Sequence, residues 1–174
     1  MREIYNRAKR VRLAIFDVDG VLTDGALTFT GSGEELKVFN VLDGHGMKLL
    51  QESGVTLAVI TSRSSPAVEE RMKNLGIGLV FQGAGDKLAA FEELLAREGI
   101  RAEEAAYIGD DLQDLPVMKR CGLAASVPNA PLVVRRHAHY VTRAGGGRGA
   151  AREFAELIMY AQGALAARLA AFCG

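Results

Sequence analysis

The sequence predicts an α/β protein with a three-layer α/β/α Rossmann-like fold around a parallel sheet. Short apolar or β-branched runs alternate along the chain with segments of helical periodicity, and glycines stand where the helices should end. Such alternation is typical of βαβ units, which place ligands at the carboxyl ends of their strands. Because 174 residues is the length of one ordinary domain, we expect a single domain over residues 1–174.

Five short apolar runs are predicted as buried strands. They are Val11–Val18, Val55–Thr61, Leu79–Phe81, Ala105–Gly109 and Leu123–Val127. The segments between them have helical periodicity, and they are Gly44–Glu52, Ser65–Leu75, Asp86–Glu98 and Leu112–Cys121. The glycines that should end these helices are Gly54, Gly76, Gly99 and Gly122.

Two segments depart from this alternation. Val21–Thr30 and Glu34–Val41 flank Gly31-Ser32-Gly33, which predicts a protruding β-hairpin, the flap, over about residues 21–42. A glycine-rich tail over about residues 143–150 precedes an alanine-rich stretch, which predicts one long helix from about Ala151 to Ala171.

The composition limits the classes of partner. Lys+Arg and Asp+Glu are balanced at 21 each, so no general field favours nucleic acid or an anionic membrane. The two cysteines, Cys121 and Cys173, are far apart and lack metal-ligand spacing, which favours a reducing cytoplasm over a disulfide scaffold. Neither a signal peptide nor a membrane span is indicated, so we expect a cytoplasmic protein without membrane or nucleic-acid partners.

Polar side chains follow several of the predicted strands. Asp17 and Asp19 end the first strand, Thr61-Ser62-Arg63 follows the second, and Gly109-Asp110-Asp111 follows another. Lys87 stands at a helix start near the same edge of the sheet. Burying two acids is costly unless a cation or catalysis requires them. Taken singly, each motif is equally compatible with helix caps or solvated charges, but the four together favour a phosphate-handling site.

At these residues the sequence resembles the haloacid dehalogenase superfamily, whose four motifs are matched in order by Asp17/Asp19, Thr61, Lys87 and Asp110/Asp111. The resemblance implies Asp17 as a nucleophile that forms an aspartyl-phosphate, and Asp19 as general acid and base. Thr61 and backbone N–H groups would hold phosphate oxygens, and Lys87 would offset their charge.

A magnesium site is expected beside the nucleophile. Carboxylate and carbonyl oxygens without a histidine cluster suit Mg²⁺, and we assign Asp17, Asp110 and the backbone carbonyl of Asp19 as its ligands. Asp111 and Asp114 either support the ion indirectly or cap the following helix, with capping favoured for Asp114.

The gaps between the motifs are too short for a cap domain, and the chain is similar to the capless family of 3-deoxy-D-manno-octulosonate 8-phosphate phosphatases. This resemblance implies release of Kdo for lipopolysaccharide biosynthesis by a homotetramer in which flap and tail complete a neighbour's site. The substrate contacts it implies are Asp19, Asn40, Val41, Leu42, Asp43, Gly44, Lys48, Arg63, Arg71 and Lys87.

Arg63 is the residue expected to select the substrate, because a related phosphatase for a nine-carbon keto-sugar acid resembles this chain but has glutamate there. Ser62 and Lys48 depart from the family's more usual glycine and arginine. Arg71 is as compatible with a solvated position, and His45 with a place at the rim of the site. The alternatives are a phosphatase for another sugar-acid phosphate, and a non-catalytic partner module of a sugar-acid cytidylyltransferase.

Overall fold

The computed structural model describes residues 1–173, and its centre is a six-stranded parallel sheet. The sheet order is β5-β4-β1-β6-β7-β8, and a separate antiparallel pair, β2-β3, forms the flap. The strands are β1 (Leu13–Phe16), β2 (Thr28–Phe29), β3 (Glu35–Leu36), β4 (Thr56–Ile60), β5 (Leu79–Phe81), β6 (Ala105–Gly109), β7 (Leu123–Ser126) and β8 (Tyr140–Val141).

Helices cover both faces of this sheet. They are α1 (Arg2–Ala8), α2 (Val41–Glu52), α3 (Pro66–Leu75), α4 (Lys87–Glu98), α5 (Leu115–Arg120), α6 (Leu132–Arg135), α7 (Ala150–Ala161) and α8 (Leu165–Cys173). Helix α2 packs against α3 and α7, whereas α4 packs against α5. The chain passes from β1 outward to β4 and β5, and it then crosses back to β6 and continues to β7 on the other side of β1. Because connections between parallel strands are right-handed, this change of direction puts the two groups of helices on opposite faces of the sheet. The predicted three-layer α/β architecture is therefore confirmed.

The first strand lies in the middle of the sheet, and this position explains its sequence. All four residues of β1 are fully buried, with β4 and β6 paired on either side. Phe16 packs edge-to-face on Phe154 of α7, with the ring centroids 5.9 Å apart. A strand covered on both faces needs a continuous apolar run, so the site that follows β1 rests on the most enclosed part of the core.

The predicted long helix after the tail is wrong. It is two helices, α7 and α8, because Gly163 has a positive φ of 75° and interrupts the run after Ala161. The flap strands are also shorter than predicted, and α2 begins at Val41 because the Asn40 side chain accepts from the Leu42 N–H at 2.7 Å. The predicted helix Leu112–Cys121 divides into a 3₁₀ turn and α5.

No helix within residues 1–173 combines the length and the apolar character needed to cross a lipid bilayer.

Candidate active site

The four sequence motifs meet at the carboxyl edge of the sheet. Asp17 follows β1, Thr61 follows β4 and Asp110 follows β6, while Lys87 begins α4. Together with Asp19, Ser62, Arg63, Asp111 and Gln113, they line a cavity of about 330 Å³. Polar residues separated by tens of positions in the chain are thus brought to one site by parallel strand pairing.

Asp17 is held rigidly at the floor of this cavity. Its N–H donates to the Ile108 carbonyl at 3.0 Å, and its Oδ1 accepts from the Val18 N–H at 2.7 Å. Its Oδ2 lies 2.9 Å from Nζ of Lys87, and its side chain is 6% exposed. Burial, with the added repulsion of Asp114, raises the pKa of Asp17 from 3.8 to about 8. The bare carboxylate is therefore disfavoured until another positive charge is present.

Asp114 organises the buried half of the site. Its Oδ1 accepts from Lys87 Nζ and from the Tyr107 hydroxyl, both at 2.6 Å, and its Oδ2 accepts from the N–H groups of Asp110 (2.8 Å) and Asp111 (2.9 Å). The capping role predicted for Asp114 therefore describes only part of its contacts. Burial alone would lower the pKa of Lys87, but Asp17 and Asp114 outweigh it and raise that pKa.

Three carboxylates approach one another closely enough to share a cation. One oxygen each of Asp17, Asp110 and Asp114 lies within 4.8 Å of the others. Burial and the charges of Asp114 and Asp111 raise the pKa of Asp110 to about 7. Gly20 permits this approach, because a Cβ at Gly20 would overlap the Asp110 carboxylate. An all-oxygen set with this much repulsion fits a hard divalent cation such as Mg²⁺.

The side chain of Asp19 is not part of that carboxylate cluster, although Asp19 lines the same cavity. Asp19 Oδ1 contacts Nζ of Lys37 from the flap, and Lys37 lies 2.9 Å from Glu35. Glu35 also contacts Arg63 at 2.5 Å, and Arg63 Nε is 3.8 Å from Asp19 Oδ2. We call these four residues of alternating charge the charge ring. Hydrogen bonds from Lys37 and Arg63 lower the pKa of Glu35.

Lys37 and Glu35 were not among the predicted site residues. The sequence does contain a pattern that points to them, because residues two apart in a strand share a face. Glu35 and Lys37 alternate with Leu36 and Val38, so the two charged side chains lie on one face of the flap. The glycines of the hairpin predicted its turn, whereas no role was predicted for its charged side chains.

Several predicted substrate residues lie outside the 330 Å³ cavity in this chain. Asn40, Asp43, Gly44 and Arg71 line a separate, small space of about 10 Å³ under α2. Val41 and Leu42 are exposed at the start of α2, and Lys48 is exposed further along it. Arg63 and Lys87 are therefore the two predicted substrate residues, besides Asp19, that line the main cavity.

The Asp43 carboxylate binds backbone N–H groups at the end of the glycine-rich tail and in the first turn of α7. Its Oδ2 accepts from the Gly149 N–H at 3.1 Å and its Oδ1 from the Arg152 N–H at 2.9 Å. A carboxylate at this place caps the amino end of α7. Burial raises the pKa of Asp43, although the backbone hydrogen bonds from Arg152 and Gly149 oppose that rise. Within this chain, Asp43 serves to anchor the tail.

The tail itself packs against the loop that follows β1. The Gly147 N–H donates to the Val21 carbonyl at 2.9 Å, and Asn40 Nδ2 donates to the Gly147 carbonyl at 3.2 Å. Gly146 lies so close to Gly20 that a Cβ there would overlap the Gly20 carbonyl. The glycines of the tail thus allow backbone to pack on backbone behind Asp19.

His45 does not lie at the rim of the cavity. Its ring faces the other side of α2, with Arg152 at 3.4 Å and the Phe172 ring edge-on at 5.6 Å between centroids. It links α2 to α7 and α8.

Sequence comparison places the chain among known phosphohydrolases. The family profile of the haloacid dehalogenase-like hydrolases matches residues 30–122, a span that includes Thr61, Lys87 and Asp110. A 3-deoxy-D-manno-octulosonate 8-phosphate phosphatase of Yersinia pestis is 48% identical over 160 residues, which cover 92% of this chain and 86% of that protein. The corresponding phosphatase of Escherichia coli K12 is 48% identical over 164 residues, covering 94% and 87%.

Structural comparison agrees with the sequence match. The 3-deoxy-D-manno-octulosonate 8-phosphate phosphatase of Moraxella catarrhalis superimposes with a TM-score of 0.97 at 45% identity, covering 99% of both chains. That crystal structure is a complex with a magnesium ion, a phosphate ion and a KDO molecule.

Proposed function

This chain belongs to the haloacid dehalogenase-like hydrolases, and we propose that it is a Mg²⁺-dependent phosphatase that converts 3-deoxy-D-manno-octulosonate 8-phosphate to Kdo and inorganic phosphate. The observation that carries this proposal is the meeting of Asp17, Thr61, Lys87 and Asp110 around one cavity. The relatives of nearly equal length favour this substrate, because they match almost the whole chain and not the motifs alone.

Asp17 and Asp110 would hold Mg²⁺ through side-chain oxygens, and Asp19 through its backbone carbonyl. When bound, the ion offsets the negative charge of the phosphate and of the two carboxylates. Burial and the charge of Asp114 raise the pKa values of Asp17 and Asp110, which supports this assignment because a divalent cation stabilises both groups as carboxylates.

Asp17 is the proposed nucleophile. An oxygen of Asp17 forms a bond to phosphorus while the bond from phosphorus to the sugar oxygen breaks, which leaves an aspartyl-phosphate. Lys87, fixed between Asp17 and Asp114, offsets charge on the transferring phosphate. Thr61, buried at the end of β4, would donate its hydroxyl to a phosphate oxygen.

Asp19 is the proposed general acid and base. It gives a proton to the leaving sugar oxygen, and it then takes one from the water that attacks the aspartyl-phosphate. The place of Asp19 in the lining of the cavity supports these roles, because its side chain is not part of the carboxylate cluster.

Arg63 is the proposed selector of the sugar acid. Its guanidinium lines the cavity beside Asp19, and a planar fork of donors suits a carboxylate. The other proposed substrate contacts lie outside the main cavity of this chain, so they could reach only a substrate held between subunits. They are Asn40, Val41, Leu42, Asp43, Gly44, Lys48 and Arg71.

We further propose a homotetramer in the cytoplasm, acting in lipopolysaccharide biosynthesis. Exposed apolar side chains on and beside the flap support an interface there, among them Phe29 (57% exposed) and Val38 (78%). The flap would cover a neighbour's cavity. The backbone of the tail packs on its own chain, which leaves its exposed Arg148 side chain as the group available to a neighbour.

The test is Mg²⁺-dependent release of phosphate from a panel of sugar phosphates. We expect the highest kcat/KM with 3-deoxy-D-manno-octulosonate 8-phosphate and no turnover by Asp17→Asn or after chelation of the metal. Preference for a nine-carbon keto-sugar acid phosphate, or equal turnover of unrelated sugar phosphates, would contradict the substrate. An inactive but folded wild-type protein would indicate the non-catalytic partner module instead.

A further inference from the structure

A buried lysine outside the four motifs contacts Asp19, which lines the cavity. Lys37 follows β3 of the flap, and its side chain is only 3% exposed. A lysine is almost never this buried unless its charge is paired. Both of its partners are carboxylates, since Nζ contacts Asp19 Oδ1 and lies 2.9 Å from Glu35 Oε1. The flap therefore places a positively charged side chain in contact with Asp19.

The contact with Lys37 distinguishes the two oxygens of Asp19. Oδ1 is occupied by Lys37, whereas Oδ2 is buried and has no hydrogen-bond partner among the described residues. Arg63 Nε, at 3.8 Å from Oδ2, is beyond hydrogen-bond distance. Rotating the carboxylate would break the ion pair with Lys37. Asp19 is thus held in one orientation through Oδ1.

We propose that Lys37 is a positioning residue for Asp19, whose carboxylate it fixes in one orientation at the cavity that Asp19 lines. This inference rests on the proposed phosphatase function and adds a residue to its machinery. Glu35 supports the arrangement by fixing Lys37 from the other side, and its bond to Arg63 ties the flap to the substrate selector.

The step that depends on this positioning is the first half of the reaction. As the bond between phosphorus and the sugar oxygen breaks, the electron pair goes to that oxygen, which takes a proton from Asp19 and leaves Asp19 as the carboxylate that Lys37 contacts. A sugar alkoxide is a poor leaving group and needs this proton. The para-nitrophenolate ion is stabilised by its ring and leaves without it.

The experiment compares these two leaving groups. We measure kcat/KM, which reports the steps up to formation of the aspartyl-phosphate, with the best sugar phosphate of the panel and with para-nitrophenyl phosphate. For Lys37→Met we expect a loss of about 100-fold with the sugar phosphate, because misplacing a catalytic group by about 1 Å has an effect of this size. The loss with para-nitrophenyl phosphate should stay below about 5-fold, since general acid catalysis contributes little there.

Two further variants separate positioning from folding. Glu35→Gln leaves Lys37 in place with a weaker partner, and we expect the same pattern at smaller size. Glu34→Gln lies on the same flap but is exposed, without side-chain contacts among the described hydrogen bonds, and should match the wild type with both substrates. Thermal unfolding of each variant establishes that it is folded.

Equal losses with the two substrates would overturn the inference, because they would show that Lys37 only seats the flap. Unchanged kcat/KM in Lys37→Met would overturn it as well. In both cases the wild-type enzyme remains a phosphatase, so the proposed function survives. A wild-type protein that hydrolyses neither substrate would reject both proposals together.

Discussion

Replacing Asp114 by asparagine should destabilise the protein more than its small change in size suggests. Both carboxylate oxygens accept two hydrogen bonds, from Lys87 and Tyr107 on one side and from the Asp110 and Asp111 N–H groups on the other. An asparagine side chain presents an NH₂ group on one of these sides. Whichever way the amide is turned, two buried donors face another donor.

The structure allows the size of this effect to be worked out. Each buried donor left without an acceptor costs about 1–3 kcal/mol, so two of them cost about 2–6 kcal/mol. Removing the charge of Asp114 relieves repulsion with Asp17 and Asp110, which offsets part of the loss. We expect the free energy of unfolding to fall by about 3 kcal/mol. Since 1 kcal/mol shifts Tm by about 2–4 °C at this chain length, Tm should fall by about 6–12 °C.

Urea unfolding and calorimetry of the metal-free protein measure this change. The matched control is Asp111→Asn in the same loop, whose exposed side chain accepts from the Leu112 N–H at 2.8 Å. Asparagine keeps an oxygen that can accept this bond, so the control should lose about 1 kcal/mol or less. A loss below about 1 kcal/mol for Asp114→Asn, or one equal to that of the control, would refute the reasoning from the four hydrogen bonds.

Two further predictions concern the tail and the pH dependence. Gly147 has a φ of 63°, and a Cβ there would lie 2.7 Å from the Thr23 backbone, so Gly147→Ala should lower both Tm and kcat. The control Gly31→Ala has open space around it and should change neither. An unaltered Tm in Gly147→Ala would count against the packing of the tail on this loop. Because the pKa of Asp17 is raised from 3.8 to about 8, the folded protein binds a proton that the unfolded chain releases within that window. The unfolding free energy of the metal-free protein, measured by urea unfolding at about pH 5 and about pH 8, should therefore fall more steeply with rising pH than that of Asp17→Asn. Equal slopes would show that Asp17 does not carry the effect.

The central strands could be predicted because burial on both faces leaves a clear mark on the sequence. Ala105–Gly109 matches the predicted bounds, and β1, β4 and β7 differ only at their ends. The edge strand Leu79–Phe81 also matches, although its residues are only half-buried. The edge strand Tyr140–Val141 was missed because two residues do not establish a pattern. Gly163 was missed as a helix end because the alanine-rich residues on both sides favour a helix.

The motif acids were predictable because parallel strands bring their carboxyl ends to one edge. The partners of those acids were not, because side-chain direction depends on packing between distant elements. Asp43 illustrates this limit, since its position near the site was expected, whereas its hydrogen bonds run to Gly149 and Arg152 in α7. Lys37 shows the opposite outcome, because no role in the site was predicted for this flap residue, yet it contacts Asp19.

The docking of the tail on the loop after β1 sets an order of events during synthesis on the ribosome. The Asn40 side chain and the Gly147 carbonyl it contacts are 107 positions apart. Asp17 and Asp19 are therefore translated long before the segment that packs on their loop. Until that segment arrives, a nascent chain lacks the backbone contacts that Gly146 and Gly147 make with the loop.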